Sequence, residues 1–166
     1  ERSSPVQNDA SDTTDGAICD IIILHTDDHK KEAYEFKKHL QSLLSDIRVD
    51  VLDAIGAGYG KLSIMDYILK KYRLVFLYLS ADFGEDRIAL FNSELSIVEN
   101  LTNSAPGRVI PIYPSEDIKK NATFPHYITV IIPLQYYDYF DKSSTNSYIE
   151  KIKRLVLDGR KNYLKD

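Results

Sequence analysis

The sequence has no tryptophan, one cysteine and no apolar run long enough to cross a membrane. A single cysteine cannot form an internal disulfide and offers no metal-site spacing, and a spanning helix needs about 20 consecutive apolar residues. A net charge of −4 supplies no basic field for nucleic acid. These absences predict no metal, no nucleic-acid partner and no direct membrane insertion. They favour a cytoplasmic protein, or the cytosolic part of a membrane protein.

The composition is that of a globular domain with a polar leader. The 166 residues amount to about one domain, and 43% of them are hydrophobic and 28% charged. Residues 1–16, "ERSSPVQNDASDTTDG", are polar and acidic with almost nothing to bury. We therefore expect a disordered leader or linker over 1–16 and a single folded domain over 17–166.

Apolar runs alternate with helical stripes along the rest of the chain. Buried strands are predicted over 17–25, 47–52, 74–80, 108–113 and 127–132. Amphipathic helices are predicted over 30–44, 62–72, about 90–101 and 145–157. Strands that alternate with helices form parallel sheets through right-handed crossovers. The predicted fold is α/β and flavodoxin-like: three layers, with a five-stranded parallel sheet and helices on both faces.

A glycine-rich stretch, "AIGAGYGKL" at 54–62, raises the question of a phosphate-binding loop. A P-loop needs glycine five positions before its Gly-Lys pair and a hydroxyl residue after it; here Ile55 and Leu62 occupy those places. The dinucleotide fingerprint also fails, because the glycines are one residue too close and should follow the first strand. The stretch is better explained as a connection whose glycines permit positive φ.

Several stretches in order resemble the boxes of the Toll/interleukin-1 receptor (TIR) domain. They are "CDIIILHTDD" at 19–28, "VLDAIGAGYGKL" at 51–62, "LVFLYLSADF" at 74–83, "LFNSELSIV" at 90–98 and "GRVIPIYP" at 107–114. The sequence of these stretches is most similar to adaptor-type TIR domains of the TRIF and TRAM kind and to TIR modules fused to STING in invertebrates. The second stretch corresponds to the family's BB loop, without its usual proline, and "PLQYYDYF" stands near the place of the Phe-Trp third box.

The resemblance implies an innate-immune signalling module that works by homotypic TIR–TIR association, as a weak homo-oligomer or with adaptor and receptor TIR domains. The implied binding residues are those of the BB loop: Asp53, Ile55, Gly56, Ala57, Gly58, Tyr59, Gly60 and Lys61. Tyr59 would be the aromatic anchor and Lys61 the charged rim. The alternative for Tyr59 is packing on its own domain.

The same resemblance leaves an enzymatic alternative open. In TIR domains that cleave NAD, a glutamate at the position of Glu94 is catalytic, although signalling members often retain it. The alternative function is therefore an NAD nucleosidase using Glu94, with NAD as substrate; otherwise no cofactor is expected. A phosphorylated receiver domain is excluded, because Ser80 stands where its acceptor aspartate belongs.

Two further features have both a functional and a structural interpretation. His25 ends the first strand beside Asp27 and Asp28, so it could sense pH or bind a ligand, or be a hydrogen-bonded structural histidine. The closing helix carries several lysines and arginines, a pattern typical of a solvated face that could also steer an acidic partner.

Overall fold

The computed structural model describes residues 18–52, 61–81 and 102–164. The strands are β1 (Cys19–Leu24), β2 (Val49–Val51), β3 (Tyr72–Tyr78), β4 (Val109–Tyr113) and β5 (Leu134–Gln135). The helices are α1 (Lys30–Leu43), α2 (Lys61–Lys71), α3 (Glu116–Asn121), α4 (His126–Thr129) and α5 (Thr145–Asn162). Two 3-10 segments, Asp27–His29 and Tyr136–Phe140, follow β1 and β5.

The five strands form one parallel sheet in the order β2-β1-β3-β4-β5. The chain runs from β1 outward to β2 and then returns past β1 to β3, so the direction of winding reverses between β1 and β3. The predicted flavodoxin-like fold is confirmed.

Each strand sends alternate side chains to opposite faces of the sheet. Ile22 and Leu24 of β1 pack with Ile68 of α2 on one face. Ile21 and Ile23 pack on the other face. There α1 contributes Ala33, Phe36 and Leu40, and α5 contributes Tyr148, Ile152 and Val156. The helical spacing of these buried residues is what the sequence predicted.

The structure corrects the predicted fifth strand. Residues 127–132 were expected to be extended, but His126–Thr129 is a short helix and β5 is Leu134–Gln135. Pro125, with φ of −57°, precedes the first turn, and its carbonyl accepts a hydrogen bond from the Ile128 N–H. Only Ile128 of the helix is buried, so the β-branched run lacks the burial that would favour a strand.

Two helix ends also differ from the prediction. Tyr72 was assigned to the second helix, but it is the first residue of β3, opposite Cys19. The last helix was expected to end near Leu157 but continues to Asn162. Gly159, inside it, is a packing position, because an added Cβ would lie 3.2 Å from Cγ of Leu74.

A charged network holds the amino edge of the sheet, where the strands begin. Asp20 of β1 is 3% exposed. Its carboxylate accepts hydrogen bonds from Arg160 Nε at 2.8 Å and Nη2 at 3.0 Å, and lies 3.5 Å from Arg73 Nη1. Arg160 also contacts Asp46 at 3.1 Å. We call Asp20, Asp46, Arg73 and Arg160 the amino-edge network; it joins the end of α5 to β1.

The single cysteine lies at the same edge. Cys19 is buried, and its thiol donates to Asp50 Oδ2 at 3.8 Å. The Tyr72 hydroxyl donates to the same oxygen at 2.6 Å. Burial and the neighbouring Asp50 raise the pKa of the Cys19 thiol, which makes it a poor nucleophile.

Candidate functional site

The carboxyl ends of β1 and β3 flank the crevice where the sheet reverses its winding. Open α/β sheets bind ligands at this place, because the loops on either side diverge. His25 and Thr26 follow β1, and Ser80 follows β3 by two residues. The topology therefore brings these side chains together, as the position of His25 at a strand end indicated.

Hydroxyl and imidazole groups meet in this crevice. Thr26 Oγ1 lies 3.2 Å from Ser80 Oγ and 3.0 Å from His29 Nδ1. His25 Nδ1 lies 2.7 Å from the carbonyl oxygen of Thr26. His25, Thr26 and Ser80 are buried, whereas His29 is half-buried. We call these four residues the carboxyl-edge cluster.

The geometry of the carboxyl-edge cluster favours a structural role. A Thr–His pair at 3.0 Å has the spacing of a nucleophile and its base, but Thr26 is 0% exposed, so no substrate reaches its hydroxyl. The cluster instead ties the end of β1 to the end of β3. Within the described residues, no group of histidine, cysteine and carboxylate side chains is arranged to hold a metal.

Most predicted site residues lie outside the described residues. Asp53, Ile55, Gly56, Ala57, Gly58, Tyr59 and Gly60 belong to 53–60, and Glu94 belongs to 82–101. Lys61 is the first residue of α2. The described residues that precede these segments, Leu52 and Ala81, follow β2 and β3. Both segments therefore begin at the carboxyl edge, one at each side of β1.

An aromatic assembly, of which the sequence indicated only the tyrosines after Pro133, surrounds His39 of α1. We call its members the aromatic box: Phe36, His39, Tyr136, Tyr139 and Tyr148. His39 Nε2 lies 2.8 Å from the Tyr148 hydroxyl, and burial lowers the pKa of His39 to about 4. The residues meet only because α1, α5 and the segment after β5 converge, so spacing along the chain carried no signal.

Four large apolar side chains are exposed among the described residues: Val130, Ile132, Phe140 and Leu157. Three of them flank the edge strand β5 in the chain, with exposed fractions of 61%, 75% and 70% for Val130, Ile132 and Phe140. We call these three the edge patch. Single exposed apolar residues are ordinary; these three lie within five residues, along the chain, of a strand whose outer edge is unpaired among the described residues.

A shallow groove lies between β5 and the start of α5. It has a volume of about 330 Å³, and Gln135, Asp138, Ser147 and Lys151 are among its lining residues. Lys151 Nζ donates to the Pro133 carbonyl at 2.6 Å, and burial lowers the pKa of this amine. The lysine therefore holds the backbone before β5 in place.

Comparisons with known proteins identify the fold. No family model matches the chain, and no curated protein matches it. A solved structure described as a prokaryotic SEFIR domain matches with a TM-score of 0.56 and 16% identity, covering 82% of this chain and 98% of that domain. At this identity the likeness concerns the fold alone.

The likeness shows a TIR-like fold, whereas the resemblance to adaptor-type TIR domains and to STING fusions stays a prediction. None of the described helices combines the length and the apolar character needed to cross a lipid bilayer.

Proposed function

We propose that this chain is an innate-immune signalling module that acts in the cytosol by homotypic TIR-type association. The protein that contains this domain is an adaptor or a fusion with STING. One contact surface is the loop around residues 53–61, and the other is the edge patch. The observation that carries the proposal is the exposure of Val130, Ile132 and Phe140, which flank the edge strand β5 in the chain.

The positions of the two surfaces favour an asymmetric contact. The loop follows β2 and the edge patch flanks β5, and these two strands form opposite edges of the sheet. A contact between different surfaces of identical chains leaves one of each free at the ends, so further copies can add. Such an assembly is weak per contact and gains affinity when the protein that contains this domain brings several copies together.

Chemical character supports the pairing of these surfaces. The edge patch offers apolar area that is already exposed, with Ile132 at 75%. Tyr59, in the loop, is a residue type that gives much contact area at small entropic cost. Glycines around it let the backbone approach a partner closely.

The test changes residues of the loop around 53–61 one at a time. Tyr59→Ala, or Gly58→Pro to stiffen the turn, is expected to weaken self-association in sedimentation and to weaken signalling in a reporter assay. With Tyr59 as an anchor for a partner, the melting temperature should stay nearly unchanged; a clear drop for Tyr59→Ala would instead support the alternative, in which Tyr59 packs on its own domain. Unaltered association in both variants contradicts the loop as an interface.

The enzymatic alternative has its own test. We expect no appreciable release of nicotinamide from NAD by the isolated domain, since catalysis requires prearranged partners around Glu94. A fusion that forces clustering gives the loop its best chance to complete a pocket. If the clustered protein consumes NAD and Glu94→Ala abolishes this, the function is that of an NAD nucleosidase.

A further inference from the structure

The fourth exposed apolar residue, Leu157, stands apart from the edge patch. It lies on α5 with 58% of its surface exposed. The buried face of α5 carries Tyr148, Ile152, Val156 and Gly159, so Leu157 points to the opposite side. Lys153 and Arg154 lie four and three residues before Leu157, and Lys161 lies four residues after it. All three are exposed. An apolar side chain is therefore flanked on one helix surface by three cations, with the exposed Asp158 next to it in the chain.

These cations are only partly neutralised within the chain. α5 has five cationic and two acidic residues. Glu150 pairs with Lys153 at 3.7 Å, and Arg160 belongs to the amino-edge network. Across ranges 18–52, 61–81 and 102–164, neither Arg154 nor Lys161 has an ion-pair partner. The surface around Leu157 thus has unmatched positive charge beside exposed apolar area.

The acidic leader joins the fold next to this surface. Residues 1–17 lie outside the described residues, and the chain enters at Ile18, two positions before Asp20. Asp20 binds Arg160, the neighbour of Lys161, at 2.8 Å. Residues 1–16 contain four acidic side chains and one basic one. The segment of opposite charge is therefore tethered within a few residues of the cationic end of α5.

We infer that the leader docks in its own chain on the outward face of α5, with its aspartates against Arg154, Lys153 and Lys161. Its contact covers Leu157. The leader then acts as an intramolecular competitor for any acidic partner of this helix. This contact goes beyond the proposed function and does not depend on it, because it uses neither the edge patch nor the loop around residues 53–61.

The spacing of charges agrees with this docking. Lys153 and Lys161 are eight residues apart on a helix, about 12 Å at 1.5 Å per residue. Asp12 and Asp15, three residues apart in an extended segment, span about 10 Å. Asp15 is three residues before Ile18 and can reach about 10 Å from it, and Asp12, six residues before Ile18, can reach about 20 Å.

The tether makes a weak contact effective. A segment joined by a few residues has an effective concentration in the millimolar range, so even weak ion pairs are populated. Exposed pairs are screened by salt, with a Debye length of about 8 Å at physiological ionic strength and about 3 Å at 1 M. The docked state should therefore be populated in low salt and lost in 1 M NaCl.

Zero-length carbodiimide cross-linking of the whole chain tests the inference. The reagent joins a carboxylate to an amine in direct contact, and mass spectrometry locates the link. We expect Asp12 and Asp15 to link to Lys153 and Lys161 at least about threefold more than to the exposed Lys31 and Lys38 of α1, and 1 M NaCl to remove this preference. An even distribution over all exposed lysines, or no leader cross-link at all, overturns the inference.

A mixture of isotopically heavy and light protein identifies the occupant. Links confined to heavy–heavy and light–light pairs support docking within one chain. Links between heavy and light copies overturn it, because the leader would then bind a second copy. Replacing the leader aspartates, D12N/D15N, should abolish the preference for α5. The matched control E32Q/E35Q, which removes two exposed carboxylates of α1, should leave it unchanged.

Amide chemical shifts supply a second readout that does not depend on cross-linking chemistry. Removal of residues 1–16 should shift the amides of Arg154, Leu157 and Lys161, and 1 M NaCl should cause the same shifts in the full chain. Shifts elsewhere but not on α5 contradict the inference. Unchanged α5 amides also contradict it.

Discussion

The two edges of the sheet use buried polar groups in opposite ways. At the amino edge, Asp20 is ionised and held by two arginines. At the carboxyl edge, Thr26 and Ser80 are as deeply buried, but their hydroxyls share a neutral hydrogen bond at 3.2 Å. The charged edge joins β1 to α5, whereas the neutral edge precedes the segments that hold the loop residues and Glu94.

The difference follows from the cost of burying charge. An ion pair in the interior stabilises only when every partner is present, and the loss of one partner leaves an expensive unpaired charge. Removing one partner from a neutral hydroxyl pair costs less free energy. A substitution at the amino edge should therefore lower the free energy of unfolding strongly. A substitution at the carboxyl edge should lower it less, so residues there that face partners can change.

The largest expected effect is at Asp20. Asp20→Asn leaves Arg160 and Arg73 without their carboxylate and should lower the free energy of unfolding by about 3 kcal/mol in urea denaturation. The matched control is Asp46→Asn, which removes the other partner of Arg160. Because the Asp46 side chain is 73% exposed, that loss should be below about 1 kcal/mol. Equal effects would remove the distinction between buried and exposed members of the network.

As pH falls, the aromatic box should lower the stability of the fold at a higher pH than the amino-edge network does. Burial lowers the pKa of His39 to about 4 from a usual 6.5, so the unfolded chain takes up a proton between these values and the folded chain does not. Stability should therefore fall as pH decreases from about 6.5 to 4, by at most about 3 kcal/mol. His39→Phe should remove this slope in thermal melts at stepped pH, and His126→Gln, at an exposed position, should retain it.

Asp20 should act in a lower pH window. Burial alone would raise its pKa, but the hydrogen bonds from Arg160 and from the Arg48 N–H, with the arginine charges, lower the pKa overall. Its contribution is present above the usual aspartate pKa of about 3.9 and is lost as pH falls through the lowered value. Below about pH 4, Asp20→Asn and the parent protein should therefore converge in stability; a constant gap down to pH 2 would contradict this.

The smallest expected effect is at the carboxyl edge. Thr26→Val removes the hydroxyl that contacts Ser80 and His29, and should lower the free energy of unfolding by about 1 kcal/mol. Thr129→Val, whose exposed hydroxyl donates to His126, should cost almost nothing. A loss at Thr26 as large as that at Asp20 would show that the neutral edge is as critical as the charged one.

The fold was predictable because its signal is local. β1 is a continuous apolar run, and α1 repeats Ala33, Phe36 and Leu40 at helical spacing. The fifth strand was misplaced because a β-branched run indicates a strand only where both faces are buried, and Val130 and Ile132 remain exposed. The helical turn that Pro125 begins prevailed there.

The contacts between elements could not be predicted in the same way. His39 and Tyr148 are 109 residues apart, and so no periodicity links them. The bond between Asp20 and Arg160 spans 140 residues and depends on α5 returning to the start of β1. The residues proposed for binding at 53–60 and the glutamate at 94 lie outside the described residues and stay predictions.

One mixing experiment tests the proposed association most directly. Gly58→Pro impairs the loop surface and Ile132→Glu impairs the edge patch, so each variant alone should remain monomeric in sedimentation velocity where the parent protein associates. An equimolar mixture retains one intact surface of each kind, and a head-to-tail contact therefore predicts a one-to-one complex and nothing larger. A mixture that stays monomeric, or single variants that associate like the parent protein, would contradict the account.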